Sequence, residues 1–185
     1  AGDTVVIQGA GGLGLWGVAV AKERGARVVV VDAVQRRLDA ATAFGADATV
    51  SFDEAPEAAD RIARVRELTD GGADVALELT GVGSAVPEGI EMVRPGATYI
   101  EIGNVMPGVE ITLDIGSMTR RAVTIRPVIR YHQRFLKGGL EFISRNVGKL
   151  PFDKLVDATY PLDDVLAAME DSKARKVNRA ALVMD

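Results

Sequence analysis

Residues 4–32, TVVIQGAGGLGLWGVAVAKERGARVVVVD, contain in order a strand, a glycine turn, a helix, a second strand and an acidic residue. Gly9, Gly11 and Gly14 have the G-x-G-x-x-G spacing directly after an apolar run and directly before a helical pattern. A glycine triplet alone is weak evidence, but this order of elements is typical of a βαβ unit that binds a dinucleotide. The alternative is a glycine-rich turn that only joins a buried strand to a helix.

Each glycine has a separate role in the dinucleotide interpretation. Gly9 makes the tight turn off the strand, Gly11 lets the backbone approach a pyrophosphate, and Gly14 lets the helix pack closely on the sheet. The phosphates would lie at the helix N-terminus, where Gly12 and Leu13 offer further N–H donors. No basic side chain is required for this binding.

Asp32 ends the strand RVVVVD, where a carboxylate can accept both hydroxyls of an adenosine ribose. It would repel a 2′-phosphate, so the sequence favours NAD over NADP. Arg36 and Arg37 lie just beyond it and could partly offset that repulsion. Arg37 could equally pair with the pyrophosphate or ribose side.

Composition narrows the possible functions. The chain has 22 Lys and Arg against 26 Asp and Glu, which argues against a nucleic-acid or anionic-membrane surface. It has no cysteine and one histidine, His132, so it cannot assemble an ordinary zinc site. No apolar run approaches the roughly 20 residues that span a bilayer, and no signal peptide is evident, so we expect a cytoplasmic protein. The missing initiator Met suggests a fragment cut at a domain boundary.

Strand and helix signals alternate through the first part of the chain. Strands are predicted in RVVVV, ATVSF, DVALELTG and TYIEIG, and helices over residues 35–44, 57–68 and 86–93, the last ended by Pro95-Gly96. This pattern predicts an α/β fold with a doubly wound parallel sheet, the Rossmann fold. Such a sheet binds ligands outside the carboxyl ends of its strands.

Two further strand ends supply candidate cofactor-binding residues. These are Thr80, Gly81, Val82, Ile102, Gly103 and Asn104. The first three would border the adenosine and ribose side, and Gly103 and Asn104 could present backbone groups to the nicotinamide carboxamide; the alternative is ordinary strand-to-loop turns. Glu78 and Glu101 lie inside apolar strands, so we interpret them as structural, hydrogen-bonded near the sheet's end, and not as an acid and base pair.

The pattern changes after Asn104. VEITLD alternates, a short polar stretch follows, and AVTIRPV is β-rich, with Pro127 tolerable mainly at a strand end or a sheet edge. A helix is predicted over 131–147 and another from Pro161, while KLVDATYP and NRAALVMD look like strands without obvious partners. We therefore divide the chain into a dinucleotide-binding domain, 1–128, and a C-terminal tail, 129–185.

The chain resembles the cofactor half of the medium-chain dehydrogenase/reductase family, in its zinc alcohol dehydrogenase branch. The resemblance rests on GDTVVIQGAGGLG, VVVVD, FGAD, DVALELTG, PGATYIEIG and the tail LPFDKLVDATYPLDDVLAAM, and runs nearly end to end. It implies NAD-dependent oxidation of a small alcohol, or reduction of the matching aldehyde or ketone, by hydride transfer. It also implies that Arg179 touches the pyrophosphate, although Arg175 and Lys176 compete for that role.

In the family, the zinc that activates the alcohol is held by a preceding catalytic domain, which this sequence lacks. We therefore assign no catalytic or metal-binding residue here and expect the chain to bind NAD without turnover. The resemblance also implies that the strands in 155–160 and 180–184 lack their natural partners, so that the tail is mobile, folds back or pairs with a second molecule. Residues 122–128 match the family's dimer-forming edge, which predicts a homo-oligomer.

Two rival functions fit the same motifs. A stand-alone regulatory module that senses NAD(H) would share the glycine turn but would not need the long tail. An adenosyl-methionine-dependent methyltransferase also pairs a glycine loop with an acidic strand end, although its loop is normally looser than GAGGLG.

Overall fold

The computed structural model describes residues 2–184 and divides the chain into two compact units, the first ending at Tyr131 and the second beginning at His132. The first unit contains β1 (Thr4–Gln8), α1 (Gly12–Glu23), β2 (Arg27–Asp32), α2 (Gln35–Ala43), β3 (Ala48–Ser51), α3 (Ala58–Leu68), β4 (Ala73–Glu78), α4 (Ala85–Met92), β5 (Val93–Glu101), α5 (Ile115–Arg121) and β6 (Thr124–Pro127). The second contains α6 (Arg134–Asn146), β7 (Ala158–Pro161), α7 (Val165–Lys173) and β8 (Ala180–Val183), with 3₁₀ turns at Phe152–Lys154 and Leu162–Asp164.

The first unit is built on a six-stranded sheet in the order β3-β2-β1-β4-β5-β6, and every pairing is parallel. The predicted doubly wound α/β fold is therefore confirmed. The chain reverses its direction of travel across the sheet between β1 and β4. A sheet of this kind opens a ligand crevice at that point, outside the carboxyl ends of the strands.

The core lies on both faces of this sheet. Val28, Val29 and Val30 of β2 are fully buried, as expected for a central parallel strand covered by helices on both sides. Tyr99 on β5 is the largest fully buried side chain among the described residues. Burial of this kind fixes the strand positions, and therefore the positions of the loops that leave their carboxyl ends.

One helix in the first unit was not predicted, and one predicted helix boundary is wrong. The polar stretch after VEITLD forms α5, because Asp114 accepts a hydrogen bond from the Ser117 N–H at 3.0 Å and caps the helix. Pro95-Gly96 does not separate a helix from a strand, since β5 already begins at Val93 and runs through both residues. In contrast, Pro127 is the last residue of the edge strand β6, as its chemistry requires.

The tail strands of the second unit are partners of each other. β7 and β8 pair in parallel, from Ala158 opposite Ala180 to Pro161 opposite Val183, so the tail folds back on itself, one of the three outcomes expected for it. α7 provides the crossover between them. It begins at Val165 and not at Pro161, because Pro161 ends β7 and a 3₁₀ turn follows.

Within residues 2–184, no helix combines the length and the apolar character needed to cross a membrane.

Candidate functional site

The turn between β1 and α1 leaves no room for side chains at two of its glycines. Gly9 has φ +98°, and a Cβ there would lie 3.0 Å from the Thr80 side chain. A Cβ on Gly14 would overlap the carbonyl oxygen of Gly9. The first helical turn therefore packs directly on the end of β1, as the spacing of these glycines indicates.

Gly11 differs from both of these glycines, because a Cβ there would meet no protein atom within 4 Å. It occupies the N-cap of α1 with φ −70° and extended ψ. The first helical hydrogen bond runs from the Leu15 N–H to the Gly11 carbonyl, at 3.0 Å. Gly12, Leu13 and Gly14 therefore have no acceptor within the helix for their N–H groups. Open space beside unpaired amides at the positive end of a helix is what an anionic diphosphate requires.

Asp32 is held against this turn from the end of β2. It is only 7% exposed, and its Oδ2 accepts the Ala10 N–H at 2.7 Å. Its Oδ1 accepts the Val34 N–H at 2.8 Å. An ionised carboxylate has about four lone-pair sites, so each oxygen keeps capacity for one further donor such as a ribose hydroxyl. Arg37 follows in the first turn of α2, where its N–H donates to the Val34 carbonyl at 2.9 Å.

A row of three polar residues ends the neighbouring strands. Gln8 on β1 is opposite Glu78 on β4, and Glu78 is opposite Glu101 on β5. Gln8 is 2% exposed; its Nε2 donates to the Ala85 carbonyl at 2.9 Å, and its Oε1 accepts the Tyr99 hydroxyl at 3.1 Å. The polar row is therefore integrated into the core by specific hydrogen bonds.

Glu78 organises the loops that follow β4 and β5. It is fully buried, and its Oε1 accepts the Thr80 N–H at 2.6 Å, the Gly81 N–H at 2.9 Å and the Thr80 hydroxyl. Its Oε2 accepts the Gly103 N–H at 3.1 Å and the Asn104 Nδ2 at 3.2 Å. One carboxylate thus connects both loops.

Glu101 completes this arrangement. Its Oε1 accepts the Asn104 N–H at 2.9 Å and also faces the Asn104 Nδ2 at 3.3 Å. Burial raises the pKa of the Glu101 carboxyl above its ordinary value, and the adjacent carboxyl of Glu78 raises it further. The two loops also touch, since a Cβ on Gly103 would lie 2.5 Å from the Gly81 nitrogen.

The candidate residues of the first unit fall into two groups. The glycine turn lies with Asp32, and Thr80 and Gly81 lie with Gly103 and Asn104. Val82 and Ile102 belong to the second group: the Val82 N–H donates to the Thr80 hydroxyl at 3.0 Å, and the Ile102 N–H to the Glu78 carbonyl at 3.2 Å.

Arg179 lies in the second unit, just before β8. Its N–H donates to Asp157 Oδ1 at 3.0 Å, and its carbonyl accepts the Asp157 N–H at 3.3 Å. Its backbone therefore fixes the start of the β7–β8 pair.

The sequence interpretation missed Gln8 and the part that Glu78 plays in joining the two loops. The available signal was a polar residue that ends an otherwise apolar strand, repeated on adjacent strands. It also missed Gly89 on α4, where a Cβ would overlap Gln8 Oε1. In the described part of the chain, residues 2–184, no three His, Cys, Asp or Glu side chains form a group that could hold a metal ion.

Comparisons with known proteins place the chain in a family. A sequence profile described as Zinc-binding dehydrogenase matches residues 12–145. The chain belongs to the zinc-binding dehydrogenase family. Its relatives include alcohol and polyol dehydrogenases, in agreement with the resemblance to the zinc-type branch.

Two curated relatives illustrate this range. A probable D-xylulose reductase A of Emericella nidulans is 34% identical over 177 residues, which cover 95% of this chain and 48% of the relative. The geraniol dehydrogenase of Castellaniella defragrans is 30% identical over 186 residues, covering 98% of this chain and 48% of the relative. The chain thus spans about half the length of the curated relatives it matches.

A solved structure agrees in fold as well. The alcohol dehydrogenase of Thermotoga maritima is 32% identical, with a TM-score of 0.91 over 100% of this chain and 51% of that one. At this level of identity, the shared fold agrees with the family assignment.

Proposed function

We propose that this chain is the NAD-binding part of a zinc-type alcohol dehydrogenase-like oxidoreductase that converts a small alcohol to an aldehyde or ketone. The observation that carries the proposal is the open face of Gly11 beside the amides of Gly12, Leu13 and Gly14, with Asp32 fixed next to them. Family membership supports this assignment over a separate sensing module or a methyltransferase. The alcohol dehydrogenase activity, the small alcohol substrate and the partners of the whole protein are likewise proposed.

The residues present fit a dinucleotide. The amides at the start of α1 hold the diphosphate, and Asp32 accepts the adenosine ribose hydroxyls through its remaining lone pairs. Residues 80–82 and 102–104 border the rest of the cofactor. When bound, NAD supplies a hydride acceptor at its nicotinamide ring. We assign the coenzyme as NAD and not NADP because a 2′-phosphate would face the buried carboxylate of Asp32.

A zinc ion does not fit the described residues. We propose that the ligands for the family's zinc come from a separate catalytic domain, and that the 185-residue chain binds NAD without turning over alcohol. A homo-oligomer formed through the edge strand β6 and a cytoplasmic location stay predictions of the sequence.

Titration of the chain with NADH, followed by fluorescence, tests the site. Gly11→Ala should weaken NADH binding by at least about tenfold, equivalent to 1.4 kcal/mol, because the methyl group fills the space for the diphosphate. Its melting temperature should change by no more than about 4 °C, because the methyl group meets no protein atom and only the helix cap is altered.

Gly138→Ala is the matched control, since a Cβ there is equally unobstructed and the residue lies in α6 of the second unit. It should bind NADH as the unsubstituted chain does. A folded chain that binds neither NADH nor NAD, or a Gly11→Ala variant with full affinity, would refute the proposal. Parallel titration with adenosyl-methionine checks the methyltransferase alternative.

A further inference from the structure

Two carboxyl groups, one fully and one partly buried, meet under the loops that follow β4 and β5. Glu78 and Glu101 are register partners on these strands, and both carboxyl groups accept from the same Asn104 Nδ2, at 3.2 and 3.3 Å. The two carboxyl groups therefore lie close together. A hydrogen bond between two carboxyl groups requires one proton, since two carboxylates have only acceptors. The proposed cofactor contacts use neither carboxyl group as a ligand.

The surroundings indicate which residue carries that proton. Both oxygens of Glu78 accept N–H donors from the loops. Oε2 of Glu101 is buried and receives no donor from the described residues. Burial raises the pKa of Glu101, as does the neighbouring Glu78. A single proton in this pair therefore belongs on Glu101, whose Oε2 is next to no other donor in the described part of the chain.

Four residues near the pair carry no positive charge. They are Gln8 on β1, Tyr99 on β5, Glu88 on α4 and Pro127 on β6. Tyr99 stays protonated, because burial raises the pKa of its hydroxyl. Glu88 is already paired with Arg61 of α3 through two hydrogen bonds of 2.8 Å. Ionisation of both carboxyls would therefore leave two adjacent negative charges in repulsion.

We propose that Glu78 and Glu101 share one proton and, in that state, act as positioning residues that hold loops 79–82 and 102–104 in the arrangement that receives the nicotinamide half of the dinucleotide. The proposal rests on the proposed function, because it assumes that a dinucleotide occupies the crevice. It adds a proton-dependent support beneath the crevice, formed by residues that do not touch the ligand.

The direction of the pH dependence follows from the raised pKa of Glu101. The contribution of the shared proton is fully present below the ordinary glutamate pKa of 4.5 and is lost as pH rises through the folded-state pKa. Above that point the two carboxylates repel each other, and the hydrogen bonds to Gly103 and Asn104 are weakened. NADH affinity should therefore fall with rising pH.

Carboxyl titration detects the shared proton without any cofactor. With ¹³C-labelled glutamate, NMR of the 185-residue chain should show one glutamate whose carboxyl pKa lies above those of the others. Glu101→Gln should remove this signal, and Glu67→Gln on the exposed face of α3 should not.

Ligand binding then tests the positioning role. As the pH is raised through that pKa, the unsubstituted chain should lose about tenfold in NADH affinity, a typical coupling between two sites. ADP-ribose, which lacks nicotinamide, should bind equally across this rise in pH. Glu101→Gln should make NADH affinity independent of pH, because its amide permanently donates to Glu78, whereas Glu101→Ala should bind NADH weakly at every pH.

Each other outcome rejects a stated part of the reasoning. Ordinary titration of every glutamate, or a high-titrating signal that persists in Glu101→Gln, overturns the shared proton. Binding of ADP-ribose together with pH-independent NADH binding overturns the positioning role alone. Failure of both ligands to bind at every pH rejects the proposed function, and the positioning role with it.

Discussion

At the scale of single residues, glycines with similar sequence surroundings have opposite structural roles. Gly89 lies inside α4, where a Cβ would overlap Gln8 Oε1 and lie 2.5 Å from the Tyr99 ring. Gly139 lies inside α6, where a Cβ would meet nothing within 4 Å. Both lie in the interior of a helix, but only Gly89 allows its helix to approach the polar row of the sheet.

Alanine substitution should separate these two roles. Gly89→Ala should destabilise the chain by about 1–3 kcal/mol through overpacking against Gln8 and Tyr99. Gly139→Ala should stabilise it by about 0.5–1 kcal/mol, because alanine is the better residue in a helix interior. Thermal and urea unfolding of both variants measure the effects. Equal stability of Gly89→Ala and the unsubstituted chain would show that α4 can shift away from the sheet.

The glycines also show how much single-residue sequence reasoning can reach. The roles of Gly9 and Gly14 follow from local spacing, and the structure gives both the close contacts that this spacing indicates. The role of Gly89 could not be predicted, because its neighbours Gln8 and Tyr99 come from distant strands that only the folded sheet brings together. The linking role of Glu78 has the same origin.

At the scale of elements, a buried ion pair connects α3 to α4. Arg61 binds Glu88 through Nε and Nη2, both at 2.8 Å, with side-chain exposures of 7% and 10%. Its Nη1 also donates to the carbonyls of Ala55 and Pro56, at 2.9 and 2.5 Å. The guanidinium is therefore satisfied, and it fixes the loop before α3 as well as the packing of the two helices.

Removal of one partner should be costly. Arg61→Met should lower the free energy of unfolding by about 3–5 kcal/mol, because Glu88 is left as a buried charge without its partner. Arg64→Met, whose partner Glu67 is 70% exposed, should change it by less than about 0.5 kcal/mol. Urea denaturation compares the two. If Arg61→Met/Glu88→Leu recovered none of the loss, the deficit would come from the loop contacts of Arg61 and not from the unpaired charge.

Element prediction succeeded where local pattern and tertiary context agree. The buried run RVVVV forms β2, and the apolar stripe of residues 62, 65 and 68 lies in α3. It failed for α5, a seven-residue helix whose capping by Asp114 was not recognised. It identified β7 and β8 but not their pairing, because nothing in either strand indicates that its partner is the other one.

At the scale of the whole molecule, the alternation of strands and helices was sufficient to predict the doubly wound sheet, because right-handed crossovers leave few alternatives. The motif also located the glycine turn and Asp32 at adjacent strand ends. The substrate could not be predicted, since the chain spans about half the length of its curated relatives.

The metal content of the whole chain gives a direct prediction. Purified 185-residue chain should contain less than one zinc per molecule by elemental analysis, because it has no cysteine and a single histidine. Mixed with NAD and a series of primary and secondary alcohols, it should form no NADH by absorbance. One tightly bound zinc per chain, or alcohol-dependent NADH formation abolished by a chelator, would contradict the proposal that a separate catalytic domain supplies the zinc ligands.

The pairing of β1 with β4 has a consequence for the order of folding. The Thr4 N–H donates to Asp74 across a separation of 70 residues, whereas β1 with β2 and β4 with β5 are joined by single helical crossovers. Closing the long loop between β1 and β4 carries the larger entropic cost. The halves β1–β3 and β4–β6 should therefore each form first, and the β1–β4 pairing that joins them should form last. A nucleotide bound across the β1–β4 junction would therefore contact both halves only late in folding. It should slow separation of the halves more than their assembly.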